Sequence, residues 1–243
     1  MAMRVSTPHP ISQRFADRAD AGRQLAELLA SQLPQPPQAN TVVLALPRGG
    51  IPIGLAIAQR FDLALEPLLV RKLGVPNFPE FAMGAIATGG ICLVDDAVVN
   101  ELHLSDQAVQ QVIQSEQLVL AERERRYGAS VSLSNLRGRE VIVCDDGMAT
   151  GRTMQAAIAA LRAVRVASIL VAVPVLSQDA LARVAPLVEQ VESLLCPASF
   201  DAVGQWYRNF PQLGDDEVIR LLSQVQRLSA SVSTTGKVST SSS

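Results

Sequence analysis

Histidine and cysteine are scarce in this sequence of 243 residues, and their scarcity excludes several kinds of chemistry. The chain has two histidines and three cysteines. With so few histidines, neither a Ser-His-Asp nor a Cys-His catalytic arrangement is predicted. The cysteines, Cys92, Cys144 and Cys196, are far apart and lack the spacing of a zinc site. We interpret them as buried free thiols of a protein in a reducing compartment.

Charge and long apolar runs are also limited. Charged residues make up 18% of the chain and the net charge is −2, which argues against nucleic acid as a partner. No apolar run approaches the ~20 residues that a membrane helix needs. The first ten residues lack a hydrophobic signal core. We therefore expect a cytoplasmic protein that does not associate with a membrane.

The remaining composition is that of a globular protein. Hydrophobic residues make up 48% of the chain, and the length suits one large domain. The last residues, 229–243, are rich in serine and threonine and poor in apolar residues. We predict a disordered tail there and one folded domain over 1–228.

Short apolar runs alternate with helical patterns, which favours an α/β fold. The main predicted strands cover 41–46, 63–70, 140–144 and 167–175. Several are apolar throughout, as in a doubly wound parallel sheet with helices on both faces. Ligands of such sheets bind outside the carboxyl ends of the strands. Three strand ends here have unusual chemistry, at 46–50, 70–74 and 144–153.

A small loop flanked by glycines follows the strand 140–144. Gly147 and Gly151 permit close backbone approach and a positive φ angle. A helix that starts near Gly151 presents free N–H groups and the positive end of its dipole. Thr150 and Thr153 add hydroxyl donors. These features suit a phosphate group, although an ordinary tight turn between a strand and a helix has similar glycines.

Two acids, Asp145 and Asp146, stand directly before this loop. Ionised carboxylates only accept hydrogen bonds, so a pair of them suits the vicinal hydroxyls of a sugar. They also suit Mg²⁺, held directly or through water. One acid alone is explained as a helix cap. A ribose 5-phosphate has a diol at one end and a phosphate at the other, which matches two acids followed by an anion loop.

The stretch "VIVCDDGMATGRTM", residues 141–154, closely resembles the phosphoribosyl-pyrophosphate (PRPP) motif of type I phosphoribosyltransferases. That motif has apolar residues, two acids and a Gly/Thr-rich loop, and the match has no gaps. The resemblance implies that Asp145 and Asp146 are the catalytic acids, which hold the ribose hydroxyls and Mg²⁺. It implies a 5-phosphate site formed by Gly147, Met148, Ala149, Thr150, Gly151, Arg152 and Thr153.

The segment "LPRGGIPIG", 46–54, repeats the order of strand, loop and helix. Arg48, Gly49 and Gly50 place a fixed positive charge and exposed amides at a strand end, which suits a pyrophosphate. The family has a pyrophosphate-binding loop in this place, often with a cis non-proline peptide bond. The resemblance implies that the Pro47–Arg48 bond is the candidate. The alternative is a Gly-Gly helix entry with a surface arginine.

A second basic pair, Arg71 and Lys72, ends another apolar strand. The segment is similar to an Arg-Lys-x-Gly stretch of adenine phosphoribosyltransferases, which implies a pyrophosphate contact, with Lys72 favoured. The alternative is that one of the two points into solvent. Residues 75–128 fall where the family has a flexible loop that closes over the substrates. On closure, the end of the long helix predicted over roughly 105–126 would bring Arg125, Arg126 and Tyr127 to the pyrophosphate. The alternative is a solvated helix end, the more common role of such a charged segment.

Near the C-terminus, residues 200–217 resemble the base-binding hood of hypoxanthine-guanine phosphoribosyltransferases. We place the hood at about 196–228. The resemblance implies that Trp206 or Tyr207 stacks on a purine base, since a flat ring accepts any base. The alternative is an aromatic cluster that packs the C-terminal helix onto the sheet.

The resemblance implies an enzyme that transfers ribose 5-phosphate from PRPP to a nitrogenous, purine-like base and releases pyrophosphate. Mg²⁺ is the expected cofactor, and PRPP and a small base are the expected partners. A regulator that senses PRPP or a nucleotide with little turnover is the alternative, and a scaffold with a vestigial phosphate site is a third interpretation. A homodimer is expected only because homo-oligomers are common.

Overall fold

A computed structural model describes residues 14–33, 35–38, 40–128 and 133–224. The predicted tail, 229–243, lies outside the described residues. In chain order the helices and strands are α1 (Arg18–Gln32), β1 (Thr41–Ala45), α2 (Gly50–Phe61), β2 (Ala64–Pro67), β3 (Val70–Val75), β4 (Phe78–Ala87), β5 (Ile91–Val94), α3 (Asp96–Glu101), α4 (Asp106–Tyr127), β6 (Glu140–Cys144), α5 (Arg152–Ala163), β7 (Ser168–Val175), α6 (Gln178–Val184), β8 (Gln190–Leu195) and a final helix, α7, over 215–224. Short 3-10 turns cover Leu133–Leu136, Ala185–Leu187 and Val203–Trp206.

The main sheet has five parallel strands in the order β2-β1-β6-β7-β8. The chain moves from β1 outward to β2, and later from β6 outward through β7 to β8. The strand order therefore reverses between β1 and β6, which are hydrogen-bonded neighbours. In open α/β sheets this reversal leaves a crevice at the carboxyl ends of the two strands, where ligands bind.

The predicted α/β fold with a doubly wound parallel sheet is confirmed. All five residues of β1 are buried, because helices cover both faces of the sheet. Helices α1 and α2 pack on one face of the main sheet, and α5 and α6 pack on the other. The small sheet described next contacts both α4 and α5. Alternate side chains of each strand supply the two halves of the core.

The insertion between β2 and β6 is a folded unit. Strands β3, β4 and β5 form an antiparallel sheet, and α3 and α4 follow it. A tight turn joins β3 to β4, with Asn77 at a φ of 67°, so these two strands form a hairpin. The single predicted strand 63–70 is wrong: it is split between the two sheets after Pro67, whose missing N–H suits the end of an edge strand.

After β8 the chain returns across the carboxyl edge of the main sheet. Phe15 and Tyr207 form a parallel bridge, so the segment before α1 is joined to the predicted hood. Val218 and Leu222 of α7 are buried in the core. The three cysteines are free, but Cys92 is exposed, because it lies on the outermost strand of the small sheet. The prediction of buried thiols is therefore correct for Cys144 and wrong for Cys92, and Cys196 is partly exposed.

Candidate active site

The loops after β1 and β6 lie against each other at the reversal of strand order. A Cβ atom built on Gly49 would come within 2.0 Å of the Asp146 carboxylate. One built on Gly50 would come within 2.7 Å of the Cys144 carbonyl oxygen. A side chain at either position would collide with the loop after β6, so both positions require glycine. The structure therefore brings the predicted pyrophosphate loop and the predicted sugar-binding acids into one place.

The Pro47–Arg48 peptide bond is cis, as the resemblance implied. Gly49 follows it as the N-cap residue of α2. Arg48 is partly exposed, while Gly50 is buried at the start of the helix. The strand, the turn and the helix therefore follow one another without an intervening loop.

The two helices that start at this edge differ from four others in how they begin. Side chains of Asp17, Asp95, Ser105 and Ser177 cap α1, α3, α4 and α6. Neither α2 nor α5 has a side-chain cap. An uncapped helix start presents a positive dipole end to an external anion, and its first N–H groups can donate where the protein does not use them. At α2 the Gly50 and Ile51 amides donate to the Leu46 and Arg48 carbonyls, and Pro52 has no N–H, so this helix offers its dipole end. Both predicted phosphate sites lie at these uncapped starts.

The loop before α5 divides into a structural part and an accessible part. The Met148 amide donates to the Val175 carbonyl at 2.9 Å, and the Met148 side chain is buried. The prediction that Met148 surrounds the phosphate is therefore corrected, since its amide extends the sheet instead. Gly151, with a φ of 73°, turns the chain into α5. On the accessible side, Thr150, Arg152 and Thr153 are exposed and Ala149 is partly buried. Gly147 is buried against Val203 and belongs to the structural part.

The two acids have different surroundings. An Asp145 carboxylate oxygen accepts from the Asp146 amide at 2.8 Å. Oδ2 of Asp146 accepts from Nε of Arg18 at 2.7 Å, and these two side chains are 14% and 10% exposed. Asp146 therefore lies in a largely buried ion pair, which the sequence did not predict.

Burial raises the pKa of both carboxyl groups. For Asp145, burial comes first and the charge of Asp146 adds to it, so the pKa lies well above its usual range. For Asp146, burial raises the pKa while the hydrogen bond from Arg18 and its charge oppose the rise. The protein thus maintains two acids where their ionisation is costly, a pattern more typical of functional sites than of structural ones.

Arg18 connects the acids to the predicted hood. Its Nη1 donates to the Pro211 carbonyl at 2.7 Å, and its guanidinium lies 3.7 Å from the centre of the Phe210 ring. The hydroxyl of Tyr207 donates to the main-chain carbonyl of Asp146. Sequence reasoning missed Arg18, although a signal exists: it occupies the buried face of α1, in register with Ala21, Gly22, Leu25, Ala26 and Leu29.

A second, more exposed cluster surrounds Asp215 at the start of α7. Its carboxylate lies 3.0 Å from Nε of Arg48 and accepts from the Tyr127 hydroxyl at 2.6 Å and from Arg126. Arg48 also donates to the Leu213 carbonyl at 2.9 Å. The hydrogen bonds from Tyr127 and Arg126 lower the pKa of Asp215.

This exposed cluster borders a cleft of about 380 Å³ between α4 and α7. The end of α4 therefore lies beside the predicted pyrophosphate loop in this structure. Arg126 and Tyr127 are in the cluster, whereas Arg125 pairs with Glu122 on the helix surface. The end of α4 thus lies near Arg48, with Asp215 between them, and its contact with a pyrophosphate stays a prediction.

The second basic pair is divided between two environments. Arg71 Nε donates to Glu116 of α4 at 2.6 Å, which joins the small sheet to that helix. Lys72 is exposed on β3. The structure thus engages Arg71 in a structural ion pair and leaves Lys72 on the surface.

The two predicted base-stacking rings also differ. Tyr207 is 3% exposed, and its ring lies between Phe15 and Phe210, with centroid distances of 5.3 and 4.8 Å. The prediction of stacking by Tyr207 is therefore wrong, since its ring belongs to a core cluster. Trp206 is partly exposed and lies beside Phe200. Of the two rings, only that of Trp206 has surface to offer a base.

The two acids suit a magnesium ion that arrives with a phosphorylated ligand. Mg²⁺ is commonly held by one or two carboxylates together with substrate phosphates and water. A cation would favour the ionised forms of Asp145 and Asp146, whose pKa values burial raises. In the part of the chain that the structure describes, no group of three or more His, Cys, Asp or Glu side chains is placed to hold a metal. Ligand and water oxygens would therefore complete the coordination.

Comparison with known proteins agrees with this geometry. Residues 17–203 match the family model described as "Phosphoribosyl transferase domain". This match covers most of the chain, and it includes the strands, loops and acids described above. The chain therefore belongs to the type I phosphoribosyltransferase family.

Individual relatives extend the comparison. The chain is 42% identical over 213 residues to a Mycobacterium tuberculosis H37Rv protein named "Putative phosphoribosyl transferase Rv0571c". The match covers 88% of this chain and 47% of that protein, so the chain spans about half the length of this curated relative. The crystal structure of TT1426 from Thermus thermophilus aligns with a TM-score of 0.76 and 36% identity, over 87% of this chain and 99% of that one.

Within the described residues, no helix combines the length and the apolar character that crossing a membrane requires.

Proposed function

We propose that this protein transfers ribose 5-phosphate from PRPP to a nitrogen of a purine-like base and releases pyrophosphate. The observation that supports this most strongly is the meeting of two loops at adjacent strand ends. The Asp146 carboxylate lies against Gly49, one residue after Arg48. One ligand with a diol, a phosphate and a pyrophosphate fits the acids, the basic loop and the two helix starts in one crevice.

In this proposal the sugar is held at the end of β6. Asp145 and Asp146 accept hydrogen bonds from the paired ribose hydroxyls, and their partial burial strengthens these bonds. The 5-phosphate takes the uncapped start of α5, with the hydroxyls of Thr150 and Thr153 at the exposed side. Both ends of the sugar phosphate are then fixed, which positions C1 for the reaction.

The departing pyrophosphate is proposed to bind at the loop after β1. As a base nitrogen forms its bond to C1, the bond from C1 to the pyrophosphate oxygen breaks, through a transition state with oxocarbenium character. Negative charge then grows on the leaving group. The guanidinium of Arg48 and the uncapped start of α2 favour this charge. Lys72, which is exposed on β3, is a further proposed contact.

When bound, Mg²⁺ would neutralise pyrophosphate charge and help to orient it. Asp145 and Asp146 are the residues proposed to hold it, directly or through water. The three free cysteines fit a reducing, cytoplasmic setting for this chemistry. A homodimer also remains a proposal.

The acceptor base is proposed to bind beside the short turn Val203–Trp206. Val203 lies against Gly147: a Cβ built on this glycine would come within 2.5 Å of the Val203 side chain. The turn is thus adjacent to the proposed sugar-phosphate loop, where a base joined to C1 would be. The partly exposed Trp206 ring supplies a stacking surface, with an expected contribution of about 1–3 kcal/mol.

The test is pyrophosphate release from PRPP and Mg²⁺ against a panel of purine and pyrimidine bases. Release with a purine, and none without a base, would support the proposal. Asp106→Asn serves as a matched control, because Asp106 is an exposed acid in the first turn of α4, at the opposite end of that helix from Tyr127. Saturable PRPP binding without release for any base would favour the sensing regulator instead. Absence of PRPP binding would contradict both functions.

A further inference from the structure

Arg18 is a buried charge whose contacts all converge on the proposed site. The residue is 9% exposed, although it belongs to the first turn of a helix at the edge of the domain. Its Nε binds Asp146, its Nη1 binds the Pro211 carbonyl, and its flat face covers Phe210. Two hydrogen bonds and one ring contact therefore fix the guanidinium. Arginine suits this position because its charged group is planar and has several N–H donors.

We propose that Arg18 is a positioning residue, which holds the Asp146 carboxylate in the orientation that accepts the ribose diol. This inference rests on the proposed function, because it assigns Asp146 to the sugar. Arg18 itself does not touch the reacting atoms. It acts through Asp146 and, by the same side chain, connects that acid to the hood.

The Asp146 carboxylate has acceptor positions beyond the one that Arg18 uses. Arg18 bonds Oδ2 of Asp146 through a single nitrogen. A carboxylate has about four acceptor positions on two oxygens, so one bond to Arg18 leaves others for hydroxyl donors. The backbone of Asp146 is held separately, by the Tyr207 hydroxyl on its carbonyl oxygen. The side chain and the main chain of this acid are thus fixed by different parts of the protein.

A purely structural role explains the observations less well. Helix α1 is already held by its Asp17 cap and by the burial of Leu25 and Leu29. The segment before it is held by the bridge between Phe15 and Tyr207. For stability alone, an apolar side chain of similar volume often equals or exceeds a buried ion pair. The presence of a charged residue at position 18 is therefore better explained by its role in orienting the Asp146 carboxylate.

The experiment compares Arg18→Met, Arg18→Lys and the wild-type protein by calorimetry. The ligands are PRPP, ribose 5-phosphate and 2-deoxyribose 5-phosphate, with Mg²⁺ throughout. Methionine keeps much of the side-chain volume and removes the charge, whereas lysine keeps the charge and loses the planar fork. Arg23→Met is the matched control, because Arg23 lies on the same helix with its side chain 67% exposed.

We expect Arg18→Met to weaken PRPP binding at least ~10-fold, the usual scale for one lost charge-assisted contact. The preference for ribose 5-phosphate over its 2-deoxy analogue should fall towards one. Arg18→Lys should recover part of this preference, and Arg23→Met should leave it unchanged. A general loss of structure would weaken both sugars alike, so the ratio isolates the orientation of the acid.

The outcomes separate this inference from the proposed function. If the wild-type protein binds none of the three ligands, the proposed function fails. If it binds them with a preference for ribose, and Arg18→Met keeps both the affinity and the preference, the role of Arg18 is contradicted. Tighter PRPP binding by Arg18→Met would also contradict it, because Arg18 would then compete with the sugar. If Arg18→Met does not fold, an unchanged ratio in Arg18→Lys overturns the inference.

Discussion

Two ion clusters on opposite sides of the proposed site show how burial changes the role of a charge. In the first, Arg18 and Asp146 are nearly enclosed, with side chains 10% and 14% exposed. In the second, Asp215 holds Arg48 and Arg126, whose side chains are 37% and 49% exposed. Water and salt screen the exposed cluster, whereas a buried charge retains its full cost when a partner is lost.

This difference predicts that the two clusters respond differently when PRPP binds between them. The buried pair should orient the sugar and tolerate little change. The exposed cluster should exchange partners, because a phosphate can replace the Asp215 carboxylate on the two arginines at small cost. The sugar end would then be fixed before binding, and the pyrophosphate end would be completed by the ligand.

The largest effect is expected for Asp146→Asn, which removes the charge paired with Arg18. PRPP binding should weaken at least ~10-fold, since a charge-assisted hydrogen bond to the ribose is lost and Arg18 remains buried without its anion. Calorimetry with Mg²⁺ measures the dissociation constant. An unchanged constant, with Asp106→Asn as the control, would contradict the sugar-binding role of Asp146.

A comparable but smaller loss is expected for Gly49→Ala, which changes the contact between the two loops. The new Cβ would lie 2.0 Å from the Asp146 carboxylate, so the acid or the loop must move. We expect a loss of several-fold to ~10-fold in PRPP affinity, on the scale of overpacking strain. The wild-type protein is the reference. Equal PRPP affinities of Gly49→Ala and the wild type would contradict the close approach.

The third prediction concerns stability and pH. Because the pKa of Asp145 is raised on folding, the folded state keeps a proton that the unfolded state releases above about pH 4. The free energy of unfolding therefore falls as the pH rises through the window between these two pKa values. Asp145→Asn removes this loss, so its melting temperature should exceed that of the wild type at pH 7, by about 2–4 °C per kcal/mol recovered.

The measurement is thermal unfolding without ligand, followed by circular dichroism from pH 4 to pH 8. The advantage of Asp145→Asn should be near zero at pH 4 and grow with pH. The same variant should bind PRPP more weakly than the wild type does. A stability difference independent of pH would show that ionisation of Asp145 is not its source.

The smallest effect is expected in the exposed cluster. Asp215→Asn removes the carboxylate that competes for Arg48 and Arg126. Affinity for inorganic pyrophosphate should rise about two- to five-fold at low salt and return to the wild-type value near ~0.5 M NaCl, because screening is strong there. Calorimetry at the two salt concentrations tests this. A decrease in affinity would make Asp215 a support for the arginines, and not a competitor.

Features of the site that lie within one segment were predictable from the sequence. The acids and the loop after β6 are contiguous, so the types of residue and their spacing indicate a sugar phosphate without knowledge of the fold. The strand 41–46 was predicted within one residue of β1, because every position in that run is apolar or β-branched and buried. The alternation of strands and helices likewise predicted the doubly wound sheet.

The missed features depend on contacts between distant parts of the chain. Arg18 is 128 positions from Asp146, and Arg126 is 89 positions from Asp215. Neither spacing leaves a local pattern. Tyr207 was predicted to stack on a base because aromatic rings suit both a base and a core. Only its packing between Phe15 and Phe210 distinguishes the two roles.

The split of the run 63–70 into two strands has the same origin. The run is apolar enough for one strand, but Leu68 donates to the Ala45 carbonyl of the main sheet, while Leu69 donates to Thr88 beside the small sheet. The change of partner between adjacent residues ends the first strand. Hydropathy alone contains no information about which sheet receives a strand.

The most direct test of the central claim is a phosphorus NMR titration of PRPP with the protein and Mg²⁺. The claim is that one crevice holds the 5-phosphate at the start of α5 and the pyrophosphate beside Arg48. We predict that the resonances of the 5-phosphate and of both pyrophosphate phosphorus atoms change together and saturate with one dissociation constant. A 5-phosphate resonance that stays unchanged while the pyrophosphate resonances move would contradict the account.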